Sequence, residues 1–246
     1  MVKAPAAEQL KLLDLQAIDS KLTSLKRRTR NVTENPEIAS VAGKLAAANS
    51  QMVAADTEVS DATRALTRAE DDVATVVTRL ERNQSRLESG AGNPKDLSAM
   101  QHEVESLKKR RIDLEDAELE VMERLESGRT QQGRDQDVVE TITTELTALE
   151  EKRDAELVEI EVERNDLLRQ RDECAATFDP SLLAVYEKSM AHRGIGAARL
   201  FHGRSEGSGM QLSPGDLADI RKANPDDVVM CPDSGCILVR SEDWGN

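Results

Sequence analysis

The stretch from Ile38 to Leu66, IASVAGKLAAANSQMVAADTEVSDATRAL, decides the fold. Its apolar residues Ile38, Val41, Leu45, Ala48, Met52, Ala55, Val59, Ala62 and Leu66 fall on alternating steps of three and four. That is the seam of a coiled coil, where one narrow stripe of a helix is buried against a partner helix. The series runs on through Ala69, Val73, Val76, Leu80 and Leu87, and only Asn83 interrupts it. The many alanines on the seam suit an antiparallel partner at close range.

Working outward, Pro36 follows Asn35 and fits the first turn of this helix, where a missing N–H is no loss. Before it lies an earlier helix, roughly Ala6 to Arg30, with its own stripe of Leu15, Ile18, Leu22 and Leu25. On the other side, Ser89-Gly90-Ala91-Gly92-Asn93-Pro94 concentrates turn residues. A second long helix is then expected from about Asp96 to Ala176. It carries Met100, Val104, Leu107, Leu114, Val121 and Leu125, and later Val139, Ile142, Leu146, Leu149, Leu157, Ile160 and Leu167. Gly128 and Gly133 each weaken it by about 1 kcal/mol relative to alanine, so flexibility or a bend is expected there.

These lengths match a hairpin over residues 1–177 with its tip near 89–95, because the outgoing helices and the returning one are about equally long. The returning helix alone would span on the order of 120 Å. A parallel coiled-coil dimer is the alternative topology, and it leaves the glycine-rich break without a reason. Dimerisation of hairpins is compatible with the pattern.

Composition agrees. Aromatic residues make up 2% of the 246-residue chain and charged residues 33%, a mixture that suits long helices and not an ordinary globular core. No apolar run is long enough to span a membrane, and the first residues carry no secretory signal, so a cytoplasmic protein is expected. Three cysteines do not make a disulfide framework. The net charge of −14 argues against a phosphate-binding surface along the whole chain. From Arg193 onward six Lys/Arg face eight Asp/Glu, so most of the acidity lies on the helices as solvated faces.

Residues 178–246 read as a separate small α+β module. A short amphipathic helix (Leu182, Leu183, Val185, Tyr186, Met190) precedes a glycine-rich segment. Ser213-Pro214 marks a further helix start. Asp227–Cys231 and Cys236–Arg240 read as two short strands around the turn Pro232-Asp-Ser-Gly235. The fold class is therefore mainly α, a long antiparallel coiled-coil hairpin with a small C-terminal module.

Three segments of this module carry a resemblance: Gly203-Arg-Ser-Glu-Gly-Ser208, Leu212-Ser-Pro-Gly-Asp-Leu217 and Val229-Met-Cys-Pro-Asp-Ser-Gly-Cys-Ile-Leu-Val-Arg240. With Leu97–Arg110 and Leu114–Glu123 near the hairpin tip, the chain resembles the bacterial C4-type zinc-ribbon proteins that carry a coiled-coil hairpin. That resemblance implies Cys-x-x-Cys at 205 and 208 and again at 231 and 234. This chain has Ser205, Ser208, Cys231 and Ser234 there. One thiol remains of four, and neutral hydroxyls are poor zinc ligands. The expectation is a degenerate ribbon with no zinc and no other cofactor. A rescue site would have to use Cys231, Cys236 and His202, with His192 or an acidic residue as fourth ligand. Against it stands the plain reading of Cys231, Cys236 and Cys174 as small buried residues, or of the first two as a disulfide. A metal-free module must hold together through Leu200, Leu212, Leu217, Ile220, Val228, Val229, Ile237 and Val239.

For function, the resemblance implies chaperone-like or adaptor binding of protein partners. Relatives are associated with export components or an alternative sigma factor, and no residue here identifies either. The competing reading is binding of RNA or DNA through the ribbon and the basic run Lys108-Lys109-Arg110-Arg111. Four consecutive charges, however, spread around a helix. An enzyme is not expected: there is no phosphate-binding glycine loop, and only His102, His192 and His202 are available as imidazoles.

Overall fold

The computed structural model describes residues 2–90, 92–241 and 244. Helices α1 (Ala6–Thr33), α2 (Pro36–Glu88) and α3 (Pro94–Ala175) are followed by α4 (Pro180–Arg193), β1 (Ala197–Phe201), β2 (Arg204–Ser205), α5 (Pro214–Lys222), β3 (Val229–Met230) and β4 (Ile237–Arg240). Contacts gather the chain into two compact units, residues 36–151 and residues 1–35 with 152–246. The second unit joins the start of the chain and the end of α3 to the module that the sequence sets apart at residue 178. None of the described helices is long and apolar enough to cross a membrane.

In the first unit α2 and the leading part of α3 form the antiparallel coiled-coil hairpin. Arg79 pairs with Glu103, Glu58 with Arg124 at 3.6 Å, and Gln132 Nε2 donates to Asp56 at 2.7 Å. Partners on α3 thus advance as those on α2 retreat. Every seam position of α2 from Ile38 to Leu87 is buried or half-buried. The α3 seam is less apolar: Arg111, Glu118, Gln132 and Asp135 occupy half-buried positions at the same spacing. At the tip, Gly90 takes φ +63°, and the Asn93 side chain caps α3 by accepting from the Asp96 N–H at 2.9 Å.

α3 runs through Gly128 and Gly133 as one helix, in keeping with a middle that is weakened and not truly broken. At Gly128 a Cβ would sit 3.4 Å from Val59 Cγ2 of the partner helix, at the near edge of ordinary contact. Gly133 has open space around it, so its cost in helix propensity is not offset by packing.

In the second unit the sheet order is β2-β1-β4-β3, with β1 and β4 parallel and both outer pairs antiparallel. The sequence reading finds β3 and β4, longer at β3 than observed, and misses β1 and β2. Strand β4 is buried on both faces. Ile237 and Val239 point to a core with Leu12 and Leu15 of α1, Phe178, and Leu182 and Tyr186 of α4. Leu238 points the other way, to Leu200, Leu212, Ile220, Cys231 and Cys236. An unbroken apolar run is what such a strand requires. Further along, Leu25 of α1 meets Ile160 and Leu167 of α3.

Candidate functional site

The ribbon residues that would carry ligands in a C4 site lie on two turns brought together by the sheet. At the end of β2, Ser205 is fully buried. Its hydroxyl accepts from the Ser208 N–H at 3.4 Å, and the Ser208 hydroxyl turns away to the Met210 N–H at 3.3 Å. On the other turn, Cys231 stands opposite Cys236: its N–H donates to the Cys236 carbonyl at 2.8 Å, continuing the β3–β4 register. Cys231 Sγ lies 3.6 Å from Ser205 Oγ and accepts from the Ser234 N–H at 3.5 Å. Ser234 Oγ is 3.1 Å from Cys236 Sγ. The two turns therefore meet through sulfur and hydroxyl contacts.

Electrostatics separates the two thiols. Burial pushes the Cys231 thiol up. The Ser234 N–H, the Ser234 and Ser205 hydroxyls and the Asp233 N–H together outweigh that and hold it below the usual range. Cys236 has fewer donors, and burial pushes it up. All three cysteines are free thiols, and burial likewise raises Cys174, which packs half-buried at the edge of the core.

This donor set does not fit zinc. A tetrahedral structural site takes four thiolate or imidazole ligands, and the family positions hold one thiol and three neutral hydroxyls. Cys236 Sγ is packed against the other turn: a Cβ on Gly207 would fall 2.9 Å from it and 2.8 Å from Ala198 Cβ. His202 does not join the cluster. It forms the tight turn between β1 and β2 with φ +47°, exposed, its ring 4.0 Å from Phe201. His192 is exposed at the end of α4. Among the described residues no three His, Cys, Asp or Glu are grouped to hold a metal ion. The basic run is also dispersed: Lys108, Lys109 and Arg110 are exposed, and Arg111 Nε pairs with Glu115 at 3.2 Å.

Sequence reading missed the polar centre beneath the sheet. Asp19 of α1 is buried and accepts from Arg171 Nε at 2.6 Å and from the Tyr186 hydroxyl at 2.7 Å. Arg171 also reaches Glu187 at 2.6 Å. Gln16 Oε1 accepts from the Gly196 and Ala197 N–H groups at 2.7 and 3.1 Å. Hydrogen bonding to Asp19 raises the Arg171 guanidinium further, and burial raises the Tyr186 phenol. The carboxylate is thereby balanced, as a buried charge must be. The available signal was Asp19 on the α1 stripe, one residue after Ile18. Arg240, inside the recognised motif, was also overlooked. Its Nη2 donates to the carbonyls of Asn224, Pro225 and Asp227 at 2.7–2.9 Å.

An antiparallel coiled-coil hairpin in a chain that ends in a ribbon sheet with facing turns defines a class of hairpin-and-ribbon proteins. Two family models match accordingly, the CT398-like coiled coil hairpin domain over residues 15–194 and the C4-type zinc ribbon domain over residues 204–238. The chain belongs to the CT398-like coiled coil hairpin family, with a degenerate ribbon. A protein of Mycobacterium tuberculosis is 36% identical over 98% of both chains. A solved structure from Mycobacterium smegmatis is 31% identical, with TM-score 0.86 over 97% of this chain and 100% of that one. CT398 from Chlamydia trachomatis shares the fold at 18% identity, TM-score 0.68, over 96% and 98%.

Proposed function

We propose that this chain is a non-enzymatic, zinc-free cytoplasmic adaptor that binds protein partners through its hairpin and its C-terminal module. The observation that carries the reading is a row of apolar side chains on the solvent side of α3. Ile112, Leu119 and Met122 are 55%, 56% and 46% exposed, far more than their size favours. Steps of seven and three residues put them on one face of the helix, away from the α2 seam. Around them the helix is dense in charge, so an apolar row there is a contact surface in waiting. The seam polar residues and the dispersed basic run give no comparable surface for nucleic acid.

The test is a photo-crosslinking amino acid at position 119, with I112K/M122K added to the same chain as the control. Binding through the hairpin predicts discrete heteromeric adducts that the double variant loses without change in helicity. Adducts with the chain itself would make the row a homodimer contact. A steeply salt-dependent affinity for RNA that survives the double variant would favour the nucleic-acid reading instead.

A further inference from the structure

A groove of about 480 Å³ lies in the ribbon unit between α4, α5 and strand β3. Its floor is apolar, with Val185, Ile220, Val228 and Met230, and Met230 remains 41% exposed. Three aspartates line it, Asp216, Asp219 and Asp227, and no Lys, Arg or His does. Asp227 faces the exposed Lys3 at 3.8 Å and Asp219 faces Lys222 at 3.1 Å, both cations standing outside the groove.

One wall of the groove is an open sheet edge. Among the described residues β3 is the outermost strand and pairs with β4 alone. Cys231 donates to Cys236 across that ladder, so the alternation of antiparallel pairing turns the N–H and C=O of Met230 away from β4. The same edge is already extended just upstream by the chain itself. Lys3 bridges Asp227 in antiparallel sense, the Val228 N–H donates to the Val2 carbonyl at 3.2 Å, and the Ala4 N–H donates to Asp226 at 2.8 Å. Val228 and Met230 are two residues apart, so their N–H groups face the same side.

We propose that this groove captures an extended basic–apolar peptide segment of a partner protein, which adds as a strand to the β3 edge at Met230. The inference deepens the adaptor reading and rests on it. Main-chain hydrogen bonds supply the attachment, alternate apolar side chains fill the floor, and Lys or Arg between them meets Asp216 and Asp219. The exposed edge that would otherwise invite aggregation becomes the binding element.

The probe is the peptide acetyl-Lys-Val-Lys-Val-Lys-Val-amide, titrated into the full ¹⁵N-labelled chain. Saturable binding is expected, with hydrogen-exchange protection at the Met230 amide and at least tenfold weaker binding of the Glu/Val counterpart. N-methylation of one alternating set of peptide nitrogens should abolish binding and of the other set leave it. D219K, at an exposed position, should weaken binding about fivefold. No saturation by millimolar peptide, equal binding of the Glu/Val peptide, or equal tolerance of both N-methylated sets would each overturn the proposal. Partner adducts at position 119 that persist in D219K while the peptide fails to bind would sink the groove and leave the adaptor reading standing. Loss of those adducts on adding I112K/M122K, with peptide binding retained, separates the two surfaces.

Discussion

The hairpin of residues 36–151 and the ribbon sheet solve the same problem under different rules. In the hairpin each helix buries one stripe, and most seam positions are only half-covered. Such a seam accepts Gln132, Asp135 and even Asn83, which is buried with no partner for its Nδ2. In the sheet, β4 is enclosed on both faces, and each position admits one shape. Gly196 shows how tight this is, since a Cβ there would fall 2.3 Å from the Tyr186 ring. One-sided burial tolerates polar residues; two-sided burial replaces them only with matched partners, as in the Ser205–Cys231–Ser234–Cys236 cluster.

The comparison can be broken most forcefully by restoring the family ligands. S205C/S208C/S234C should give a chain whose ribbon is stabilised by zinc, on the order of 10 kcal/mol at saturation by the scale of structural sites. Thermal unfolding with zinc or chelator reads this out, and the natural chain should show no response to either. A triple variant equally indifferent to zinc would mean that the facing turns have closed too far to admit a metal.

Next in size is R171A, which strips Asp19 of its cation while leaving the carboxylate buried. A loss of about 3–5 kcal/mol is expected by urea denaturation. Tyr186 in the same cluster adds a pH signature. Its phenol is raised by burial and by Asp19, so its contribution is complete below the unfolded value of about 10 and is lost as pH climbs toward the folded one. Stability should fall above pH ~10, and less steeply in Y186F.

A matched pair then sharpens the contrast. Leu238→Ala in the sheet should cost about 3 kcal/mol, whereas Leu66→Ala on the half-buried seam should cost about 1 kcal/mol, because a half-exposed site loses less burial and leaves less cavity. Equal losses would dissolve the distinction. Smallest of all, Asn83→Leu should stabilise the hairpin by about 1 kcal/mol, since the unpaired amide disappears and the stripe becomes continuous.

The same contrast explains what was legible in the sequence. A seam repeats, so Ile38 to Leu87 announces α2 to within a residue or two, and Pro36 and Asn93-Pro94 punctuate it. The helix start at Ser213 was equally plain, its hydroxyl accepting from the Asp216 N–H at 3.1 Å. Strand β1 was hidden because Ala197-Ala-Arg-Leu-Phe201 has no strand-like alternation and takes its place from a parallel neighbour distant in sequence. Asp19 and Arg171 were hidden for a similar reason. Each looks like another charge on a helix, and only the fold shows that they meet.

The short antiparallel bridge between Lys3 and Asp227 has a consequence for the order of assembly. The hairpin of α2 and α3 is complete in a growing chain once α3 has emerged, because its contacts join neighbouring helices. The ribbon unit must wait: its first residues have no strand partner until Asp226 to Val228 are made, and β1, paired early with β2, lacks its parallel neighbour until β4. Such distant pairing closes late. During synthesis α1 therefore travels with Leu12 and Leu15 uncovered by the sheet. The finished hairpin precedes the proposed site for a partner's strand, so a strand at Met230 would be taken up only once β4 has been made.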